Sequence, residues 1–290
     1  MSAARERTPR TSPGMCGELA CLLEVSARKA GNVHRGRDFA DTRYLDFVAS
    51  AVAIGPVLEH APERGVGESV LRAITATRSV TARNTNLGIV LLLVPLARVF
   101  GSLEERAALE ATLAETTRED AAAVYQAIRL ANPGGLGEVA DEDVRRAPTR
   151  TLREVMALAA GRDRIAEQYR GAFADVFDLG VPALAASLGR GDSIEEAVAF
   201  CHLTLLAAFP DSLIARKRGE REAAEASARA GEVLAAGWPH GARALRRFAV
   251  LDRWLRARGN ARNPGTSADL TAASLFLAIR RGIIGFPLFR

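Results

Sequence analysis

Four stretches of the chain carry residue types suited to binding phosphate, holding a cation or moving a proton. Glu24 sits in the apolar frame Ala20-Cys21-Leu22-Leu23-Glu24-Val25, and Lys29, Gly31 and Asn32 follow where that helical pattern ends. A carboxylate among apolar neighbours needs a partner or a cation, because burying an unpaired charge is costly. Two readings stay open here. Glu24 is either a glutamate on a solvated helix face, or a metal-binding or acid–base carboxylate beside a Gly-Asn loop whose backbone can approach a phosphate. Next, Arg83-Asn84-Thr85-Asn86-Leu87-Gly88 runs into the most apolar segment of the chain. Free N–H groups at a helix start attract anions, and Gly88 permits close approach. Equally, Asn84, Thr85 or Asn86 can cap that helix and do nothing more.

The third stretch is Asp211 followed by Arg216, Lys217, Arg218 and Gly219. Asp211 can cap a helix whose far end carries the three cations, a favourable arrangement for the helix dipole alone; the same cations also suit a polyphosphate. The fourth is Asn263-Pro264-Gly265-Thr266-Ser267-Ala268-Asp269-Leu270. Turn, cap and first-turn acid explain it as a helix start. Its functional reading has Asp269 facing a cleft as a Mg2+ ligand and the Gly265 backbone meeting phosphate. Arg162, Asp163 and their neighbours up to Tyr169 either pair along a helix or line a cleft. The four histidines show no metal-ligand spacing, and Cys201-His202 reads as a packed pair in an apolar helix.

These groups must be positioned by helices. Hydrophobic spacing is helical almost throughout, over 18–28, 43–59, 67–82, 87–100, 103–116, 118–131, 152–160, 162–177, 181–188, 194–209, 220–236, 242–258 and 267–281. The fold expected is all-α: a disordered tail over 1–14, then one multi-helix domain over 15–290 with a central ligand cleft and a polar excursion over 132–150. With 290 residues, 48% of them hydrophobic, the chain can bury a core without disulfide support. Three cysteines without CxxC spacing read as reduced thiols in a cytoplasm. The apolar run 87–100 is too short to span a membrane and contains Pro95 and Arg98, and no secretory signal is expected. The net charge of +5 comes from charges alternating in sign, with only 6% aromatics, which argues against a nucleic-acid surface. Arginine dominates the basic residues, so the two lysines, Lys29 and Lys217, stand out.

Taken in order, the Glu-bearing helix leading to Lys29-Ala30-Gly31-Asn32-Val33, then Asn84 to Gly88, Arg162-Asp163 to Tyr169, Asp211 with Arg216 to Gly219, and Asn263 to Leu270 resemble triphosphoribosyl-dephospho-coenzyme A synthases over about residues 18 to 280. The resemblance implies an all-α transferase using Mg2+ and ATP, the latter as substrate. In that reaction the ribose 2′-hydroxyl of 3′-dephospho-coenzyme A attacks the anomeric carbon of ATP and adenine leaves. It also implies Glu24 and Asp211 as catalytic carboxylates, and Glu24, Asp211 and Asp269 as metal ligands. Lys29, Asn32, Asn84, Asn86, Arg216, Arg218, Gly265 and Asp269 would bind substrate. Ala30 stands where the family pattern has proline, and Asn86-Leu87 where it has His-Lys, which marks a divergent branch. The partners expected are small nucleotides, with a homodimer left open. The competing readings are another nucleotide-dependent enzyme of one-carbon, methanopterin-type cofactor biosynthesis, and a non-catalytic helical nucleotide-binding protein.

Overall fold

The computed structural model describes residues 11–134, 137, 141–286 and 288. The chain begins with α1 (Pro13–Ser26), α2 (Tyr44–Glu59), α3 (Val66–Val80), α4 (Leu87–Arg98), α5 (Glu105–Ala114), α6 (Arg118–Ala131) and α7 (Leu152–Ala159). It continues with α8 (Arg164–Arg170), α9 (Val181–Gly189), α10 (Ile194–Ala208), α11 (Ser212–Arg218), α12 (Glu220–Ala235), α13 (Ala242–Arg256) and α14 (Gly265–Arg280). The only extended segment among the described residues is the four-residue Ala257–Asn260. The protein is all-α, as the spacing predicts.

The expected tail over 1–14 is too long at its inner end. Residues 1–10 lie outside the described residues, but Ser12 accepts the Met15 N–H and Pro13 opens α1, a capped start with proline where its missing N–H costs nothing. The single helix expected over 162–177 is also replaced. Asp163 caps α8 by accepting from Ile165 (2.9 Å) and Ala166 (3.3 Å), so the helix starts later. Ala172 and Phe173 then adopt left-handed backbone, and a π-helical turn at Val176–Gly180 leads into α9. The cap is local, but the break after Gly171 follows from packing and has no strong signal in the sequence.

Two helices organise the rest. α4 and α14 are apolar on nearly every face and bury almost all their side chains, as helices surrounded by others must. α14 packs on α1, α4, α9 and α10, and α4 also meets α2 and α3. A second apolar cluster, including Leu206, Ile214, Phe248 and Leu255, joins α10 to α11, α12 and α13. Each buried leucine or phenylalanine of these clusters contributes about 1.5–3 kcal/mol by leaving water. The consequence for function is geometric. The N-terminal ends of α4 and α14 are held together by the core, although nearly 180 residues of chain separate them.

Candidate active site

A cavity of about 910 Å³ opens where those two helix starts meet. Gly88 explains how close they come: a Cβ there would stand 2.0 Å from Asp269 Oδ2. Gly265 is equally constrained, since a Cβ would meet Leu213 of α11 at 2.6 Å. The helix starts direct N–H dipoles toward the cavity, which favours an anion there. In the turn before α4, Asn84 Oδ1 accepts the Leu87 N–H (3.2 Å) and Thr85 shares a hydrogen bond with Ser50 (2.6 Å). Asn86 Nδ2 donates to Thr77 Oγ1 (2.9 Å), and its Oδ1 is buried with no partner.

Of the residues singled out from the sequence, Glu24, Asn32, Asn84, Asn86, Arg216, Gly265 and Asp269 line this cavity. Glu24 is buried and Lys29 wholly so, with Lys29 Nζ 3.0 Å from Glu24 Oε1. The same ammonium donates to the Glu24 carbonyl and, at 3.3 Å, to that of Ala27, so its three donors are spent. Lys29 is therefore no phosphate ligand. It is the counter-ion that makes a buried Glu24 tolerable. Burial pushes the Glu24 carboxyl above the ordinary range, while the charge and hydrogen bond of Lys29 oppose that shift.

Asp211 also departs from its expected role. Its Oδ1 accepts from Leu213 (3.0 Å) and Ile214 (3.1 Å), and its Oδ2 accepts from the N–H (2.8 Å) and hydroxyl (2.9 Å) of Ser267. Both oxygens are saturated, the residue is buried, and it does not line the cavity. Asp211 is a clamp that caps α11 and ties α14 to it, neither base nor metal ligand. Arg218 likewise stays outside, forming a two-point pair with Glu222 at 2.9 and 3.1 Å. No group of three or more His, Cys, Asp or Glu side chains among the described residues can hold a metal, so the trio Glu24, Asp211 and Asp269 does not form.

Asp269 is the opposite case. Among the described residues it has no hydrogen bond or ion pair, and it faces the cavity. Burial, then the charges of Glu24, Asp211 and Asp163, push its carboxyl well above the usual carboxylate range, with Arg216 opposing. The cavity also holds Arg216, 3.3 Å from Asp163 Oδ2, and Lys217, whose Nζ donates to the Asn260 carbonyl at 3.4 Å. Burial and the Arg216 charge lower the Lys217 pKa. Asn32 donates to Asn263 Oδ1 (2.6 Å), and its own Oδ1 is buried without a partner.

Arg83, Arg162, Asp163, Lys217, Asn260 and Asn263 are further polar residues of the lining that were not among the chosen site residues. Five of the six flank or lie inside the motifs noted above; Asn260 precedes the fourth motif and had no signal of its own. Beyond the polar part the wall turns apolar, with Leu91, Ile128, Val155, Met156 and Ile165.

Comparison with known proteins adds to this geometry. The profile of the CitG family, described as ATP:dephospho-CoA triphosphoribosyl transferase, matches residues 10–285. A crystal structure from Archaeoglobus fulgidus, whose assignment as a triphosphoribosyl-dephospho-coA synthase is provisional, superposes with a TM-score of 0.63 at 28% identity, covering 81% of this chain and 99% of that one. No curated protein matches the sequence. No single helix among the described residues is long and apolar enough to cross a membrane.

Proposed function

The chain belongs to the CitG family of ATP:dephospho-CoA triphosphoribosyl transferases, and from that premise we propose that its cavity binds ATP and 3′-dephospho-CoA together and releases adenine. In the proposed reaction the acceptor 2′-hydroxyl oxygen bonds to C1′ of the ATP ribose as the C1′–N9 bond breaks. Adenine departs with the electron pair and a proton, and the triphosphate stays on the transferred ribose.

Each group of the cavity has a task in that reading. Arg216 and Lys217, with the positive dipole ends of α4 and α14, bind the triphosphate oxygens. Asp269 takes the proton of the attacking hydroxyl at its carboxylate, whose hold on a proton is strengthened by burial and by the charges of Glu24, Asp211 and Asp163. A carboxylate so placed also stabilises positive charge developing on the ribose ring.

Mg2+ fits this donor set. The charge of Glu24 bears on Asp269, and Mg2+ commonly takes one or two carboxylates together with substrate phosphates. Glu24, with one oxygen on Lys29, would hold the ion with its other oxygen. When bound, the ion would neutralise triphosphate charge. We place the reaction in the cytoplasm, in keeping with the free, buried thiols of Cys16, Cys21 and Cys201.

The observation that carries the proposal is the unpartnered Asp269 carboxylate, set where the starts of α4 and α14 meet and within reach of the Arg216 charge, in a chain of this family. Incubation with ATP, Mg2+ and dephospho-CoA, followed by chromatography, tests it. Free adenine should appear in step with the ribosylated acceptor. ADP, AMP or pyrophosphate in place of adenine would refute it.

A further inference from the structure

α2 packs on α1, α3 and α4, which leaves it one outward face. That face reads Leu45, Val48, Ala49, Val52, Ala53 and Pro56, the spacing of a single helical stripe, and none of the six is buried. Leu45 is 71% exposed and Val52 55%. A helix facing water ordinarily sets charged side chains there, as α3 does with the ion-paired Glu68 and Arg72. Between its end residues α2 has one charged side chain, Asp46, and the Arg43 N–H and the Thr81 hydroxyl already occupy its two oxygens. An exposed apolar stripe without charge across it marks a contact surface.

The charges at its two ends have the wrong sign for the helix. Arg43 precedes the first turn, where the dipole is positive, and Glu59 closes the last, where it is negative. Arg43 has no ion pair among the described residues. Glu59 accepts the Gly14 N–H (2.9 Å) and meets no cation among them, and its charge adds to burial in raising the pKa of Glu18, which lies against Gly55 of α2. Both faults are relieved when a second α2 lies antiparallel across the stripe. Each Arg43 then faces the partner's Glu59, and two-fold symmetry makes the contact at both ends. A lipid surface fits less well, because membrane-surface helices carry basic flanks, whereas Glu18, Glu59 and Glu63 crowd one end here and α2 itself holds no Lys or Arg. Residues 1–10 have Met1 as their one large apolar side chain, so they supply no apolar cover. We propose that the outer face of α2 is a dimer interface, on which a second copy of the chain lies antiparallel about a two-fold axis at the level of Ala51. The interface does not depend on the transferase reaction, so either can fail alone.

Sedimentation velocity at concentrations up to about 100 µM tests it. The wild type should sediment at twice the 30.9 kDa mass of the chain, and Val52→Lys as the single chain with its helix content unchanged by circular dichroism. Arg43→Glu suits the helix dipole within one chain but sets acid against acid between chains, so it should raise the dimer Kd at least about tenfold with no loss of helix. Oxidative cross-linking tests the arrangement, since the native thiols are all buried. A Val52→Cys thiol would lie about 3 Å along the axis from its symmetry mate and should form an intermolecular disulfide; a Leu45→Cys thiol would lie about 18 Å from its own and should not. A wild type that stays monomeric, or a Val52→Lys chain that still dimerises, would overturn the proposal. Cross-linking of Leu45→Cys as readily as Val52→Cys would do so too, by showing parallel or unspecific association.

Discussion

Asp211 and Asp269 flank the same helix start and share a chemical type, yet the structure uses them in opposite ways. Asp211 has four donors on its two oxygens and no access to the cavity. Asp269 has no partner among the described residues and faces the cavity. The two lysines repeat the contrast: Lys29 is locked under Glu24, and Lys217 reaches the cavity wall. The difference teaches that hydrogen-bond satisfaction, more than burial or residue type, separates groups that hold a site from groups free to act in it.

Four substitutions break or sharpen this contrast, the largest effect first. Asp269→Asn should lower the rate of adenine release by about 10²–10⁴-fold, as expected for loss of a general base. Its thermal melting should be unchanged or higher, because a like charge near Glu24 is removed. Lys29→Met should do the reverse in kind, costing about 3–5 kcal/mol in urea unfolding by leaving Glu24 buried and unpaired. Adding Glu24→Gln should recover part of that loss. Asp211→Ala strips the cap from α11 and leaves the Ser267 N–H orphaned, a loss of about 2–3 kcal/mol in the same assay. If Asp211→Ala abolished activity at full stability, the division between clamp and reacting group would be wrong.

The fourth effect is smallest at neutral pH. His202 is buried with both ring nitrogens unpartnered, and burial drives its pKa down to about 3. The folded protein therefore keeps the ring neutral while the unfolded chain binds a proton below the ordinary value of 6.5. Stability should fall as pH drops from about 6.5 toward 3, since the unfolded state then holds more protons. His34, lowered to about 4, acts in the same sense. His202→Leu should flatten the dependence of Tm on pH across that window, and an unchanged slope would show that other groups set it.

Much of the fold was legible because helical periodicity is local. The expected and observed bounds of α6 coincide, and those of α7 and α10 differ by one residue. The closing motif was legible for a related reason, since turn, helix start and acid are adjacent in sequence. The roles of Asp211 and Lys29 were not. Asp211 is decided by Ser267, 56 positions away, and Lys29 by how deeply the last turn of α1 is covered. Neither fact leaves a trace in residue spacing. Asn260 was missed because an asparagine in a short extended segment looks like any other loop residue.

The absence of a side chain at position 88 ties two distant codons together. The room that Asp269 occupies is the room a single methyl group at residue 88 would take. Inheritance can therefore alter neither position freely: any side chain gained at 88 displaces the acid from its place, and a larger residue at 269 meets the start of α4. The two sites must drift as a pair or stay fixed, since Gly88→Ala leaves the helices standing and yet moves the Asp269 side chain out of its place.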